Sequence, residues 1–128
     1  MEQPTSEFKS KAGLKRIVNA SSYAIQGLAQ AWRSEHSFRQ ELLVFALGVI
    51  FAFVLPVSGF QKLALIGVLL LVLIVELINS AIEAVVDRIS LERHPLSKNA
   101  KDFGSAAVGL TIVLAALTWG TVLYSRFM

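Results

Sequence analysis

No cysteine occurs in the 128 residues, which excludes a disulfide framework, a thiolate metal site and a cysteine nucleophile. Charge is scarce as well: 16% of the residues are charged against 55% hydrophobic, and the mean hydropathy is +0.62. That balance is too apolar for a soluble domain of this size and fits a small integral membrane protein. Glycine-rich phosphate loops are missing, since neither GxxxxGK[ST] nor GxGxxG occurs. Asp102-Phe103-Gly104 spells the metal-binding triplet of protein kinases, but no HRD loop, Gly-rich loop or VAIK strand accompanies it. The net charge of +3 comes from basic residues beside the apolar runs, which argues against nucleic-acid binding. No signal peptide is expected, because the apolar region starts late and lacks a cleavage site.

What is present is organised around residues 76–87. They end the most apolar run of the chain, 63–75. Read as a helix, Glu76, Asn79, Ser80, Glu83 and Asp87 stand at offsets 0, 3, 4, 7 and 11, on one stripe. Leu77, Ile78, Ala81, Ile82, Val85 and Val86 cover the rest of the surface. An ionisable residue inside a membrane span costs several kcal/mol and marks a functional site by default. The competing reading is a polar seam that glues helices together, for which Ser, Thr or Asn would serve better than two acids.

The rest of the chain supplies an all-α membrane architecture. Residues 1–12 are expected to form a flexible N-terminus. Over 13–34, Leu14, Ile17, Val18, Ile25, Leu28, Ala31 and Trp32 recur at helical spacing. Lys15, Arg16, Asn19, Ser22, Gln26, Gln30 and Arg33 take the other face. This predicts an amphipathic helix lying in the bilayer interface, with packing against a partner helix as the alternative. Ser37-Phe38-Arg39-Gln40 has the form of a capping box and opens a span over 38–58. Its apolar part, 42–57, reaches only ~24 Å, short of a ~30 Å hydrocarbon core. Pro56, Ser58 and Gly59 mark a tight turn, a second span covers 62–89, and Pro95 breaks the next loop. Ser97 is the expected cap of a third span over 98–126. Trp32 and Trp119 read as interface anchors, and Ser105 with Gly109 as a small-residue packing pair. Basic residues precede the first span and fill the loop between the second and third. The N-terminus and that loop are therefore expected in the cytoplasm. Three spans alone should not shield Glu76 and Glu83 from lipid, so a homo-oligomer is expected.

Three groups then meet near one membrane face: Glu35 in the break after the first helix, Glu76, Asn79 and Glu83 along the second span, and Lys101 with Asp102 opening the third. Carboxylates with an amide suit a hard cation such as Mg²⁺. Lys101 can hold a phosphate as a point charge, and a carboxylate at the depth of Glu76 can meet a lipid headgroup and act as a base. His36 and His94 read as loop residues. These parts point to phosphoryl transfer between a nucleotide and a lipid hydroxyl.

The stretch Glu76-Leu77-Ile78-Asn79-Ser80-Ala81-Ile82-Glu83-Ala84-Val85-Val86-Asp87 resembles the signature of the prokaryotic diacylglycerol kinase family. Lys101-Asp102-Phe103-Gly104-Ser105-Ala106-Ala107 resembles its second motif. Ala31-Trp32 with Glu35 and Phe38-Arg39-Gln40-Glu41 resembles its N-terminal block. The blocks come in the family's order, and the likeness runs from Gly13 on. It implies an interfacial helix plus three transmembrane helices in a homotrimeric bundle, with active sites shared between subunits and ATP used with Mg²⁺. It further implies Glu76 as catalytic base and Glu35 and Glu83 as metal ligands that also meet the nucleotide. Arg16, Tyr23, Glu92, His94, Lys101 and Asp102 become nucleotide contacts. Arg16, Arg39, Asn79 and Ser105 join Glu76 along the lipid site. Ala24-Ile25 departs from the family, which often has Ser and an aromatic there.

The resemblance thus implies a kinase of the bacterial inner membrane that transfers the γ-phosphate of ATP to diacylglycerol, giving phosphatidic acid for phospholipid recycling. Undecaprenol kinase is the rival within the family; the N-terminal block favours diacylglycerol. A small oligomeric channel or proton-coupled transporter using the acidic stripe is a rival of another class, and a non-enzymatic assembly subunit a third.

Overall fold

The computed structural model describes residues 6–128, with side chains from residue 12 onward. Four helices follow one another: α1 (Ser6–Ser34), α2 (His36–Val54), α3 (Gly59–Ile89) and α4 (Pro95–Phe127). α2, α3 and α4 are each long and apolar enough to cross a membrane. The chain is an all-α, multi-pass membrane protein. At 1.5 Å per residue the 19 residues of α2 reach about 28 Å, close to the hydrocarbon thickness. The helix begins two residues before and ends four residues before the expected span of 38–58, so its apolar part, 42–54, reaches only ~20 Å and the shortfall foreseen for the first span remains. α3 and α4, with 31 and 33 residues, are longer than the hydrocarbon thickness requires.

The chain divides into two compact units, residues 1–34 and 35–128. α1 makes up the described part of the first. Its start at Ser6 takes in residues 6–12 of the stretch expected to be flexible; residues 1–5 lie outside the described residues. Leu14, Ile17, Val18, Ile25 and Leu28 along α1 are all exposed.

In the second unit α3 is the central helix and packs against both α2 and α4. A glycine makes each contact close. A Cβ on Gly48 of α2 would run into the Leu69 Cδ1 methyl of α3, and one on Gly104 of α4 would run into Asn79 Oδ1 of α3. A Cβ added to Gly109 would meet nothing within this chain; the close approach inside the chain is made by Gly104, five residues earlier.

At the α2–α3 turn, Ala52, Leu65 and Val122 form a buried cluster with Leu55, Val57, Ile66 and Trp119 against it. Polar groups there are satisfied. Ser58 caps α3 in a capping box: Gln61 N–H donates to Ser58 Oγ at 3.1 Å, and Ser58 N–H donates to Gln61 Oε1 at 2.9 Å. Lys62 Nζ donates to Phe53 O at 2.9 Å and Arg126 Nε to Pro56 O at 2.7 Å. Lys62 thus occupies a carbonyl that the end of α2 leaves open, and Arg126 one of the turn that follows it. Trp119 is partly buried and donates Nε1–H to Leu65 O at 3.1 Å, so it ties two helices together where an interface anchor was expected.

Two expected caps differ. α2 begins after Glu35, whose side chain makes no cap bond; because the helix already includes Ser37, the capping box there cannot form. α4 begins at Pro95 after His94, whose Nδ1 accepts from Leu96 N–H at 3.1 Å. Proline is compatible with that first helical position, where its missing N–H costs nothing. Ser97 lies inside the helix and caps nothing.

Candidate active site

Along α3 the polar stripe forms as its spacing requires, and its two deepest members are buried: Glu76 is 6% exposed and Asn79 8%. One chain therefore already covers Glu76, one of the two acids that three spans alone were expected to leave open to lipid. α2 crosses beside it, and α4 closes over Asn79 through Gly104. Glu83, one turn beyond Asn79, is half-buried, and Asn79 Nδ2 donates to its Oε1 at 3.3 Å. The Asn79 amide oxygen, pressed toward Gly104, is buried with no partner.

A further acid stands here that the sequence reading left without a role. The carboxyl of Glu41, on α2, meets that of Glu76. Neither brings a donor to the contact unless it carries a proton, and Glu41 Oε2 is left buried without a partner. The available signal was a carboxylate in an early turn of an otherwise apolar span. The charges of Glu83, on α3, and of Glu35, just before α2, also reach Glu76. Like charges gather in a poorly solvated place only where protons or cations offset them. Glu41 also stands on the wall of an apolar cavity of about 540 Å³ between α2, α3 and α4 that runs past Gly48 and Leu69 to Trp119.

Beyond the end of α3 lies a second cavity, of about 720 Å³, formed by the α3–α4 loop and the first turns of α4. Its size is that of a small-ligand site. Glu92, His94, Lys101 and Asp102, all expected to meet a nucleotide, line it together with Asp87 and Lys98. Lys101 Nζ pairs with Asp87 Oδ1 at 2.7 Å, across from α4 to α3, and Lys98 Nζ pairs with Asp102 Oδ2 at 2.6 Å within α4.

The other expected residues are less gathered. Ser105 is exposed on α4 and borders neither cavity. Arg39 is half-buried and its guanidinium lies 3.3 Å from His36 Nδ1. Arg16 and Tyr23 are exposed on α1. Among the described residues no three His, Asp or Glu side chains converge as a metal site. Glu35 and Glu83, the carboxylates expected to hold a metal, are hard oxygen donors by type. Mg²⁺ that also binds nucleotide phosphates commonly takes only one or two carboxylates from its protein, so the donor set fits that ion.

The pattern of the prokaryotic diacylglycerol kinase family matches residues 22–123. The chain belongs to this family. It is 53% identical over 118 residues to the diacylglycerol kinase of Pseudomonas aeruginosa, covering 92% of this chain and 96% of that one. It is 49% identical over 115 residues to the diacylglycerol kinase of Escherichia coli K12, covering 90% and 94%. With the Haemophilus influenzae diacylglycerol kinase it shares 39% identity over 112 residues, covering 88% and 95%. In this member of the family the two signature motifs lie on facing helices, with Gly104 of the second seated against Asn79 of the first.

Proposed function

We propose that the chain is a lipid kinase that transfers the γ-phosphate of ATP to the hydroxyl of diacylglycerol, giving phosphatidic acid. The observation that carries this reading is the order of groups along α3. A carboxyl pair, buried Glu76 with half-buried Glu41, stands in the apolar part of the bundle. Asn79 and Glu83 follow, and a lysine-lined cavity for a soluble ligand lies beyond the helix end. Family membership and the relatives' names support the same reading.

Glu76 is the proposed base. It takes the proton of the lipid hydroxyl as that oxygen attacks the γ-phosphorus in line, and the bond from that phosphorus to the departing ADP breaks. Asn79 orients the reacting groups while its amide N–H holds Glu83. Lys101 balances charge on the phosphates, and Asp102, Glu92 and His94 frame the nucleotide at the cavity. Glu35 and Glu83 are the proposed holders of Mg²⁺, which when bound neutralises phosphate charge. Ser105 and Arg39 on the lipid side, and Arg16 and Tyr23 on α1 as nucleotide contacts, are carried over on the resemblance alone. So are the homotrimer with shared sites, the interfacial setting of α1, and the bacterial inner membrane with N-terminus and site on the cytoplasmic side. The basic loops support that orientation.

The test is the purified chain in lipid vesicles with labelled ATP and Mg²⁺, offered diacylglycerol or undecaprenol. Labelled phosphatidic acid is expected. Label in undecaprenyl phosphate alone would move the substrate to the polyprenol. No lipid product, with ion flux across the vesicles, would replace the kinase by a channel.

A further inference from the structure

Asp87 has no part in the proposed chemistry, yet it makes the ion pair that joins α3 to α4 at the mouth of the larger cavity, Lys101 Nζ to Asp87 Oδ1 at 2.7 Å. The other pair there, Lys98 with Asp102 at 2.6 Å, spans four residues of one helix, a spacing that brings such side chains together by itself. The Lys101–Asp87 pair has no such local cause. It exists only because the two helices set Lys101 above the stripe of Glu83 and Asp87. Its members are 43% and 51% exposed, so the pair is open to solvent and to an incoming ion.

The cavity's charges cancel. Lys98, Lys101 and Arg93 stand against Asp87, Asp102 and Glu92. A cavity meant to hold an anion by charge alone would carry a surplus of cations. Here the lysine nearest the carboxylate stripe already has an anion on it. An ammonium on a flexible four-carbon stem can turn to a new acceptor, and an exposed pair is weak enough to be exchanged.

We infer that Asp87 is a stand-in for the nucleotide phosphate: it holds Lys101 while the cavity is empty, yields it to the incoming phosphate, and reclaims it as the diphosphate leaves. Asp87 is thus a positioning residue that acts on the nucleotide through Lys101. It keeps nucleotide binding weaker than Lys101 alone would make it and so favours release of the product. The inference rests on Lys101 being a phosphate contact, as proposed above.

Equilibrium binding of labelled ADP with Mg²⁺ to the full chain in lipid vesicles tests it. Removing one exposed, partly screened charge is worth roughly a two- to fivefold change. Asp87→Asn is expected to tighten ADP binding by about that factor and to lower the KM for ATP, with the KM for diacylglycerol unmoved. Asp87→Ser should do the same and guards against a fault peculiar to the amide. Asp87→Glu should restore the original affinity. On a Lys101→Met background, Asp87→Asn should change nothing. If Lys101→Met weakens ADP binding while Asp87→Asn and Asp87→Ser leave it unchanged or weaken it, Asp87 is a strut or a preorganiser and the inference fails alone. If Lys101→Met leaves ADP binding unaltered, Lys101 is not a phosphate contact, and the nucleotide reading falls together with the inference.

Discussion

The two ends of the α2–α4 unit solve opposite problems. At the α2–α3 turn the buried side chains are apolar, the start of α3 carries a capping box, and Lys62 and Arg126 satisfy carbonyls of the end of α2 and of the turn after it. Toward the opposite end lie two buried side-chain atoms without a partner, Glu41 Oε2 and Asn79 Oδ1. No others of this kind occur among the described residues. An orphaned buried polar group costs on the order of 1–3 kcal/mol, so that half of the bundle is held against its own preference. Between lipid-facing helices there is little hydrophobic drive, and packing and hydrogen bonds supply the cohesion. The satisfied end provides both. The unsatisfied end is where acceptors wait for a donor, and a lipid hydroxyl is a donor.

The largest expected effect therefore belongs to Glu76. Glu76→Gln keeps size and polarity but cannot take a proton, and base catalysis contributes ~10²- to 10⁴-fold. Turnover on diacylglycerol should fall at least a hundredfold, roughly 3 kcal/mol. ADP binding should persist, since the cavity beyond α3 is untouched. The amide also offers Glu41 a donor that the carboxylate lacks, so the thermal midpoint should hold or rise. Near-normal turnover would remove Glu76 from the chemistry and leave the polar stripe as a helix seam.

The two glycine contacts sharpen the comparison next. A methyl added at Gly104 meets the buried amide of Asn79, which can move only by giving up its bond to Glu83. A methyl added at Gly48 meets the tip of the Leu69 side chain, with Trp119 Cζ2 at 3.5 Å, and a leucine tip can turn aside. Gly104→Ala should cut turnover by about tenfold or more, with overpacking of about 1–3 kcal/mol. Gly48→Ala should leave turnover within about twofold. Paired assays of activity and detergent melting decide the matter; equal activity losses would mean that helix spacing in general, and not the seat of Asn79, governs the site.

The same contrast explains what could be read in advance. Glu76, Asn79, Glu83 and Asp87 fall on one helical face by spacing alone, so the stripe was legible. Lys101 and Asp102 stood out as charges at the mouth of an apolar span. Contacts between helices were not legible in this way. Glu41 faces Glu76 only because α2 crosses α3 there, and one carboxylate in an apolar run does not say what it will meet. Gly104 attracted attention as the end of a kinase-like triplet, while its physical role is to admit a neighbour. The caps went astray for a local reason. Ser37-Phe38-Arg39-Gln40 and Ser58-Gly59-Phe60-Gln61 share the same Ser-x-x-Gln form, and only the second follows a turn that leaves its serine outside the helix. Pro95 looked like a break and is a helix start. Sequence pattern gives the face of a helix; the helix it faces is decided by packing.

The smallest effect is expected at the satisfied end, and it is the one that isolates stability from chemistry. Arg126 donates from Nε to Pro56 O at 2.7 Å, tying the last turn of α4 to the α2–α3 turn, and its guanidinium lies 5.5 Å from the Phe127 ring centre. Arg126→Met keeps the apolar stem and removes the donor. The Pro56 carbonyl is exposed and can turn to water, so the loss should be about 1 kcal/mol, the ordinary worth of one such bond. That corresponds to a drop of roughly a few degrees in the thermal midpoint. Turnover at low temperature should be unchanged, because the groups proposed to react stand on the far side of the Ala52–Leu65–Val122 cluster from this bond. Melting in mild detergent and activity in lipid, measured on the same preparation, separate the two. A loss of turnover as large as the one at Gly104 would mean that the ends are mechanically coupled through α4, and the division of labour between them would have to be given up.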